Sequence, residues 1–332
     1  MTLLTLDEIE TLTFAALTRA GASGHQAHPV ARSIRRAEAD DIRPVGLGFL
    51  PLYLAHLKSG KVDGKASPGM SMPRPGNVTV DAAHGFAHPA FDLGLDALDK
   101  AARACGVASM AITRSYSIGV LGHPAEDVAL RGLLAIVVSN APPNMTAWGG
   151  KRKIFGTNPL AFAVPREGAP PLVVDQATTM VTRVALVAAA SEGRTIPDDW
   201  AFDADGRPTT DPAAALKGSM APAGGAKGAN VALLVEVLAA ALAGANLSMD
   251  AHPYGIADGP PPGVGQLILA FDPGGFAPGF SDRIEKLLGV ISADGARVPG
   301  DRRLAARARS MQGGVDVDDA LLAQIGAGGV TS

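Results

Sequence analysis

Leu133-Leu-Ala-Ile-Val-Val-Ser139 is a short, apolar, β-branched run without a helical period, and it sets the reading of the chain. Ala108-Ser-Met-Ala-Ile-Thr113, Leu160-Ala-Phe-Ala-Val-Pro165 and Leu172-Val-Val-Asp175 have the same texture and are separated by turn residues. Gln266 to Phe271 predicts a late strand, and Val78 to Asp81 an early one. Outward from this middle the pattern turns helical. Leu6-Asp-Glu-Ile-Glu10 opens a helix with acidic residues at the positive end of its dipole. Further helices are expected from about Gln26 to Asp40, Leu50 to Lys58, Pro89 to Cys105, Val181 to Ser191, Ala229 to Ala243 and Ser281 to Val290, with a short one from Asp319. The expectation is a mixed α/β protein: a helical N-terminal part, a sheet-bearing middle and a helical return, with no internal repeat.

Composition narrows the class. A chain of 332 residues with 47% apolar character can bury a substantial core, as one large domain or two smaller ones. Its 29 basic and 32 acidic residues leave a net charge near −3, without the basic face that nucleic acid requires. Cys105 is the single cysteine, which excludes an intrachain disulfide framework and points to a reducing compartment. Met1 to Glu8 lacks the basic start and apolar stretch of a signal peptide. The apolar segment Val231 to Ala243 is too short for a membrane span and carries Glu236. A soluble cytoplasmic protein with no membrane partner is expected.

Two local segments carry possible chemistry. In Gly224-Gly-Ala-Lys-Gly-Ala-Asn, two glycines and Lys227 precede an apolar helix, so free N–H groups and a cation suit a phosphate or carboxylate. The same residues are equally consistent with a flexible loop and a solvated lysine. Lys153-Ile-Phe-Gly-Thr-Asn-Pro-Leu160 reads as a tight turn entering a strand; Thr157 could present its hydroxyl there, although Asn-Pro turns are ordinary punctuation. Gly-x-Gly-x-x-Gly, the Walker phosphate loop, His-Glu-x-x-His and Gly-x-Ser-x-Gly are all absent. The common nucleotide folds, that type of catalytic metal and the serine hydrolases lose weight accordingly, and no metal is expected.

In combination the segments resemble the type 2 malate/L-lactate dehydrogenase family, whose members include the Δ1-pyrroline- and Δ1-piperideine-2-carboxylate reductases. The resemblance runs through Val80-Asp-Ala-Ala-His-Gly-Phe-Ala-His-Pro89, Ser115-Tyr-Ser-Ile-Gly-Val-Leu-Gly-His123, Phe155 to Pro165, Val174-Asp-Gln-Ala-Thr-Thr179, Pro197 to Pro212, Gly224 to Gly228 and Arg297 to Arg303. It implies a non-Rossmann dinucleotide-binding fold with a largely antiparallel central sheet and a helical domain built from both chain ends. The division implied is 1–112 with 285–332 for substrate and dimerisation, and 113–284 for NAD(P). The family's cofactor contacts fall here on Ser117, Ile118, Gly119, Val120 and Leu121; on Asp175, Gln176 and Ala177; on Ala226 and Lys227; and on Pro299, Gly300, Asp301, Arg302 and Arg303, continuing to Ala305. NADPH is expected over NADH, with Arg302 and Arg303 meeting a 2′-phosphate. Thr157, Arg183 and Val184 fall at substrate contacts, and a homodimer is implied.

The departures from the family are chemical. Its Ser-His-Gly, then two intervening residues and an Arg, corresponds here to Pro44-Val45-Gly46-Leu47-Gly48-Phe49. The proton-donating histidine becomes Val45, the carboxylate-binding arginine becomes Phe49, and an acidic partner becomes Ala185. A ketone gains negative charge on oxygen as hydride arrives, so a positioned acid is worth a factor of roughly 10²–10⁴. A protonated imine is neutralised instead, and an apolar site beside Phe49 could accept it by shape and cation–π attraction. The reading is an NAD(P)H-dependent imine reductase with Val45 and Phe49 lining the substrate and Arg183, Arg114 or Arg43 replacing the lost cation. His56 and Tyr53 are the nearest alternative acids, although His56 reads more simply as a solvated surface histidine. The alternatives are a 2-hydroxy-acid dehydrogenase with a non-standard acid, and an NAD(P)-binding relative that has lost hydride transfer.

Overall fold

The computed structural model describes residues 1–328. In chain order, β1 (Thr2–Leu4), α1 (Leu6–Arg19), α2 (Gly24–Ala39) and α3 (Leu50–Ser59) come first. β2 (Gly69–Arg74), β3 (Asn77–Asp81), α4 (Ala87–Cys105), β4 (Val107–Ser115), α5 (Gly122–Leu130) and β5 (Leu134–Ser139) follow. Next are β6 (Met145–Thr146), β7 (Lys153–Phe155), β8 (Leu160–Val164), β9 (Leu172–Gln176), α6 (Arg183–Ser191), β10 (Ala201–Phe202), α7 (Pro212–Lys217) and β11 (Ser219–Met220). The chain continues with α8 (Ala226–Glu236), a π-helical extension Val237–Leu242, β12 (Val264–Phe271), α9 (Phe280–Ala293), α10 (Asp301–Gly313), β13 (Val315–Val317) and α11 (Asp319–Gly326).

The helix starts follow capping chemistry. Thr5 and Glu8 form a capping box, with Glu8 N–H donating to Thr5 Oγ1 at 3.2 Å and Thr5 N–H to Glu8 Oε2 at 2.8 Å, so α1 begins at its acidic turn. β1 pairs antiparallel with β13, bringing both chain ends together. Their apolar faces share one core: Ile9, Leu17, Ile34 and Leu54 from the first helices with Val315, Val317 and Ile325 from the C-terminus.

The central sheet has seven strands in the order β2-β3-β4-β12-β5-β8-β9. β3 and β4 are parallel and joined through α4; every other pair is antiparallel. The period of two explains why helices cover both faces. Val78, Val80, Met110, Ile112, Ala135, Val137 and Ile268 form one face, under α4 and α5. Val138 and Leu267 point to the other face, where Val235 of α8 and Ala239 of the π-helical turn pack on them. Gly94 lets α4 lie this close, since a Cβ there would collide with Met110 Sδ. The expected division at 112/113 falls inside β4, and 284/285 falls inside α9, so one continuous sheet spans the first of them. α5, α7 and α10 were not anticipated. α5 is buried along Gly122, His123, Pro124, Ala125 and Glu126, residues that carry no apolar period.

Why α5 and α10 sit where they do is electrostatic. Asp40, just past α2, and Glu126 of α5 have side chains 0% and 2% exposed. Arg307 of α10 donates to Asp40 at 2.6 and 2.9 Å and to Glu126 at 2.9 Å. Arg303 reaches Asp40 at 3.2 Å and Glu126 at 3.1 Å, and Arg36 reaches Glu126 at 3.0 Å. Burial pushes His123 down, so it is neutral at pH 7 and donates from Nε2 to Asp40 at 3.1 Å.

Burial pushes the Glu126 carboxyl up, but hydrogen bonds and charge from Arg307 and Arg303 overcome this and hold it at about 2. A carboxylate whose pKa is lower folded than unfolded contributes stability above the unfolded value, near 4.3 for Glu, and loses it as pH falls through the folded one. The urea midpoint is therefore expected to drop as pH falls from about 5 toward 2. Glu126→Gln should cost about 3–5 kcal/mol at neutral pH, by leaving guanidiniums uncompensated, and should flatten that drop. An unchanged midpoint for E126Q at neutral pH would contradict the account.

Candidate active site

α10 and the start of α5 form opposite walls of a cleft of about 610 Å³. Val120, Asp175, Pro299, Gly300, Arg302 and Arg303 line it, together with Asp40, Asp41 and Ile42. Asp175, at the end of β9, accepts the Gly122 N–H at 2.7 Å and so ties the 117–121 loop to that strand. Gly300, at φ 93°, is the residue before α10, and a Cβ there would stand 3.3 Å from Val173 O. Asp301 opens the first turn of that helix.

The arginines of α10 divide by helical face. Arg303 and Arg307 are four apart and point to the buried carboxylates, whereas Arg302 and Arg309 are seven apart and line the cleft. Arg303 also lines the cleft, but both of its terminal nitrogens are taken by Asp40 and Glu126. Arg302, Arg309 and Arg297 line the cleft with exposed side chains and no ion-pair partner among the described residues. Three unpaired guanidiniums beside the side-chain-free Gly122 and Gly300 suit the phosphates of a dinucleotide.

The other expected contacts lie along the same edge. Ile118 and Leu121 are buried in the sheet core and anchor the loop, while Gly119 has φ 69° and rests against Ser33 and His88. Ser117 Oγ accepts the Gly119 N–H at 3.3 Å. Gln176 and Ala177 end β9, and Thr178 binds both neighbours: its N–H donates to Thr157 O at 3.0 Å, and its carbonyl accepts Ala223 N–H at 2.8 Å. Thr157, Ala177 and the Ala226–Lys227 helix start are brought together in this way. Gly225 packs on the Trp148 indole, and Lys227 is exposed in the first turn of α8. Arg183, the first residue of α6, is exposed and donates to Asn144 Oδ1 at 3.2 Å, and Arg114 is paired with Asp81.

Phe49 and Val184 meet in a second pocket of about 390 Å³, with Arg43, Pro44, Gly48 and Glu38 on its wall. Val45 is half-buried in the 3₁₀ turn Arg43–Val45 beside it. His56 is not a surface histidine. It is 0% exposed, its Nδ1 is bonded to the Tyr116 hydroxyl and its Nε2 has no partner. Burial, then the charge of Lys61, pushes it down to about 4, so the imidazole is neutral at neutral pH. Tyr53 is 2% exposed, and burial pushes its hydroxyl up to about 12. Both belong to an aromatic cluster with Phe86, Tyr116 and Tyr254, which corrects their reading as acids facing a substrate. His56 stands in the apolar run Leu50 to Leu57, and the reading of it as a surface residue followed its polar side chain rather than that run. Arg309 was legible in principle, from its seven-residue spacing to Arg302.

Comparison with known proteins places this geometry. The malate/L-lactate dehydrogenase family model matches residues 4–326. The (2R)-3-sulfolactate dehydrogenase (NADP(+)) of Chromohalobacter salexigens is 45% identical over 307 residues, 92% of each chain. The Δ1-pyrroline-2-carboxylate reductase of Pseudomonas fluorescens is 38% identical over 97% of each. Among solved structures, the Δ1-piperideine-2-carboxylate reductase of Pseudomonas syringae pv. tomato superposes with a TM-score of 0.93 at 36% identity, covering 98% of this chain and 99% of that one. These likenesses mark the protein as an NAD(P)H-dependent oxidoreductase, and the chain belongs to the malate/L-lactate dehydrogenase family.

Proposed function

We propose that this protein reduces the C=N bond of a small cyclic imine carrying a carboxylate, of the Δ1-pyrroline-2-carboxylate kind, with NADPH preferred. The observation that carries the reading is the pocket where Phe49 and Val184 meet beside Val45, at the positions where the family keeps its histidine and arginine. The bound cofactor supplies hydride. The chain excludes water with Pro44, Phe49 and Val184, and offers Arg43 to the substrate carboxylate. A protonated C=N already carries the charge that hydride neutralises, so this apolar wall penalises the reaction less than it would a ketone developing an alkoxide. The names of the reductases in Pseudomonas fluorescens and Pseudomonas syringae support the same substrate class.

One observation favours a second reading: the 45% identity to a sulfolactate dehydrogenase supports oxidation of a 2-hydroxy acid. Purified protein with NADPH should reduce Δ1-pyrroline-2-carboxylate faster than pyruvate, oxaloacetate or sulfopyruvate at matched concentration. Faster turnover of any 2-oxo acid would overturn the imine reading, and NADPH binding without turnover of either would mark a relative that has lost hydride transfer.

NADPH preference rests on Arg302 and Arg309, with Arg297 at the rim. The double variant R302A/R309A should bind NADPH about tenfold more weakly, or about 1.4 kcal/mol, with NADH binding unchanged. An equal loss for both cofactors in a fluorescence titration would remove the 2′-phosphate assignment.

A homodimer is part of the same proposal. Leu233, Leu234, Val237 and Leu242 of α8 and its extension are exposed apolar side chains, a ridge suited to burial against a second copy. Light scattering should give twice 33.7 kDa at micromolar concentration, and the single mass alone would contradict it. No helix among the described residues is long and apolar enough to cross a membrane, and the free, exposed Cys105 suits the cytoplasm.

A further inference from the structure

Glu38 stands in the last turn of α2 and is 3% exposed. Its Oε1 accepts the Leu47 N–H at 2.7 Å, and its Oε2 makes no hydrogen bond among the described residues. The carboxyl fits there because position 46 is glycine: a Cβ on Gly46 would collide with Oε1. After α2 the chain folds back through Arg43–Val45 and Leu47–Phe49, which lays the segment carrying Val45 and Phe49 over this carboxyl. Glu38 thereby reaches the wall of the 390 Å³ pocket shared by Phe49, Val184 and Arg43.

We infer that Glu38 is the proton donor of this enzyme, serving a substrate held in the Phe49–Val184 pocket with its carboxylate toward Arg43. The inference rests on the reductase reading above. The Glu38 O–H bond breaks as an N–H bond forms on the imine nitrogen. A bound reduced nicotinamide would supply the hydride for the imine carbon, with the C=N π pair moving onto nitrogen. The products are the cyclic amine, oxidised nicotinamide and the Glu38 carboxylate, which takes its next proton from water once the product leaves.

The surroundings raise the proton affinity of this carboxyl. Burial pushes Glu38 up; the Leu47 N–H and Arg43 oppose this in part, and Asp41 adds to it. Facing the pocket from the C-terminal strand are Asp316 and Asp318, and from the N-terminus the Met1 ammonium, which is held by Asp319. Arg43 is partly committed, to Asp41 at 3.0 Å and to the Asp316 carbonyl at 3.0 Å.

Glu38→Gln tests this cleanly, because a glutamine keeps an acceptor for the Leu47 N–H and loses only the proton. Steady-state rates should be measured against pH on Δ1-pyrroline-2-carboxylate and on its N-methyl iminium analogue, whose fixed charge needs no proton. E38Q is expected to lose roughly 10²–10⁴-fold in kcat on the imine. It should stay within threefold of the wild type on the N-methyl iminium and bind NADPH with an unchanged Kd. Equal effects on both substrates, or a full imine rate, would overturn the inference. Should E38Q fail to fold, the wild-type profiles decide: the imine rate must fall at high pH while the N-methyl iminium rate stays flat, and parallel profiles refute Glu38. A wild type inactive on every imine defeats the reductase reading itself, a result distinct from an active E38Q.

Discussion

The carboxylates of Asp40 and Glu126 hold this molecule's two ends to its middle. They are fully desolvated and stand on α2 and α5, while the guanidiniums that neutralise them come largely from α10, more than 170 residues further along the chain than Glu126. A buried carboxylate without a cation is strongly destabilising, so α10 is obliged to lie across α5 with Arg303 and Arg307 facing inward. Once that face is fixed, helical geometry directs Arg302 and Arg309 to the opposite side, into the cleft beside Asp175 and Gly122. The interaction that closes the fold therefore also sets the charge of the cofactor-side wall. Of two adjacent arginines in one motif, one is structural and the other is free to meet a ligand.

The fold was largely legible because its strands are apolar and its helices are amphipathic. The runs at Ala108, Leu133, Leu160, Leu172 and Gln266 all became strands of one sheet, and the acidic turn after Leu6 marked the first helix. Strand order was not legible. β12 inserts between β4 and β5, and no local pattern carries that long-range pairing. Three helices were missed: α5 hides a histidine and a glutamate and α10 hides arginine heads, so neither shows an apolar stripe, and α7 has only six residues.

The site was legible in part, and the division has a physical basis. Backbone-shaped features announce themselves through glycine, as in the helix starts at Gly225 and Gly300 and the loop at Gly119. Side-chain chemistry depends on which way each residue points. His56 and Tyr53 lie close in sequence to the altered positions but face the aromatic core, while Glu38 lies before them and faces the pocket. The backbone reversal after α2 lays the 43–49 segment over Glu38 and leaves that carboxyl on the pocket wall.

Position 49 shows why the altered residues belong together. Phe49 packs edge-to-face on Tyr53 at 5.2 Å and 81°, and on Tyr254 at 6.4 Å and 83°. Such contacts contribute about 0.5–1.5 kcal/mol each beyond simple burial. Tyr254 in turn donates to the Tyr116 carbonyl at 2.6 Å, directly before Ser117 and the loop on the cofactor side. The aromatic ring thus couples the substrate pocket to the base of that loop through packing, where an arginine would instead turn its head toward solvent or a carboxylate. A cation at 49 and this cluster are competing solutions for the same space. With the cluster in place, the guanidinium on the wall of the Phe49–Val184 pocket is that of Arg43, which stands outside the cluster with its side chain half-exposed.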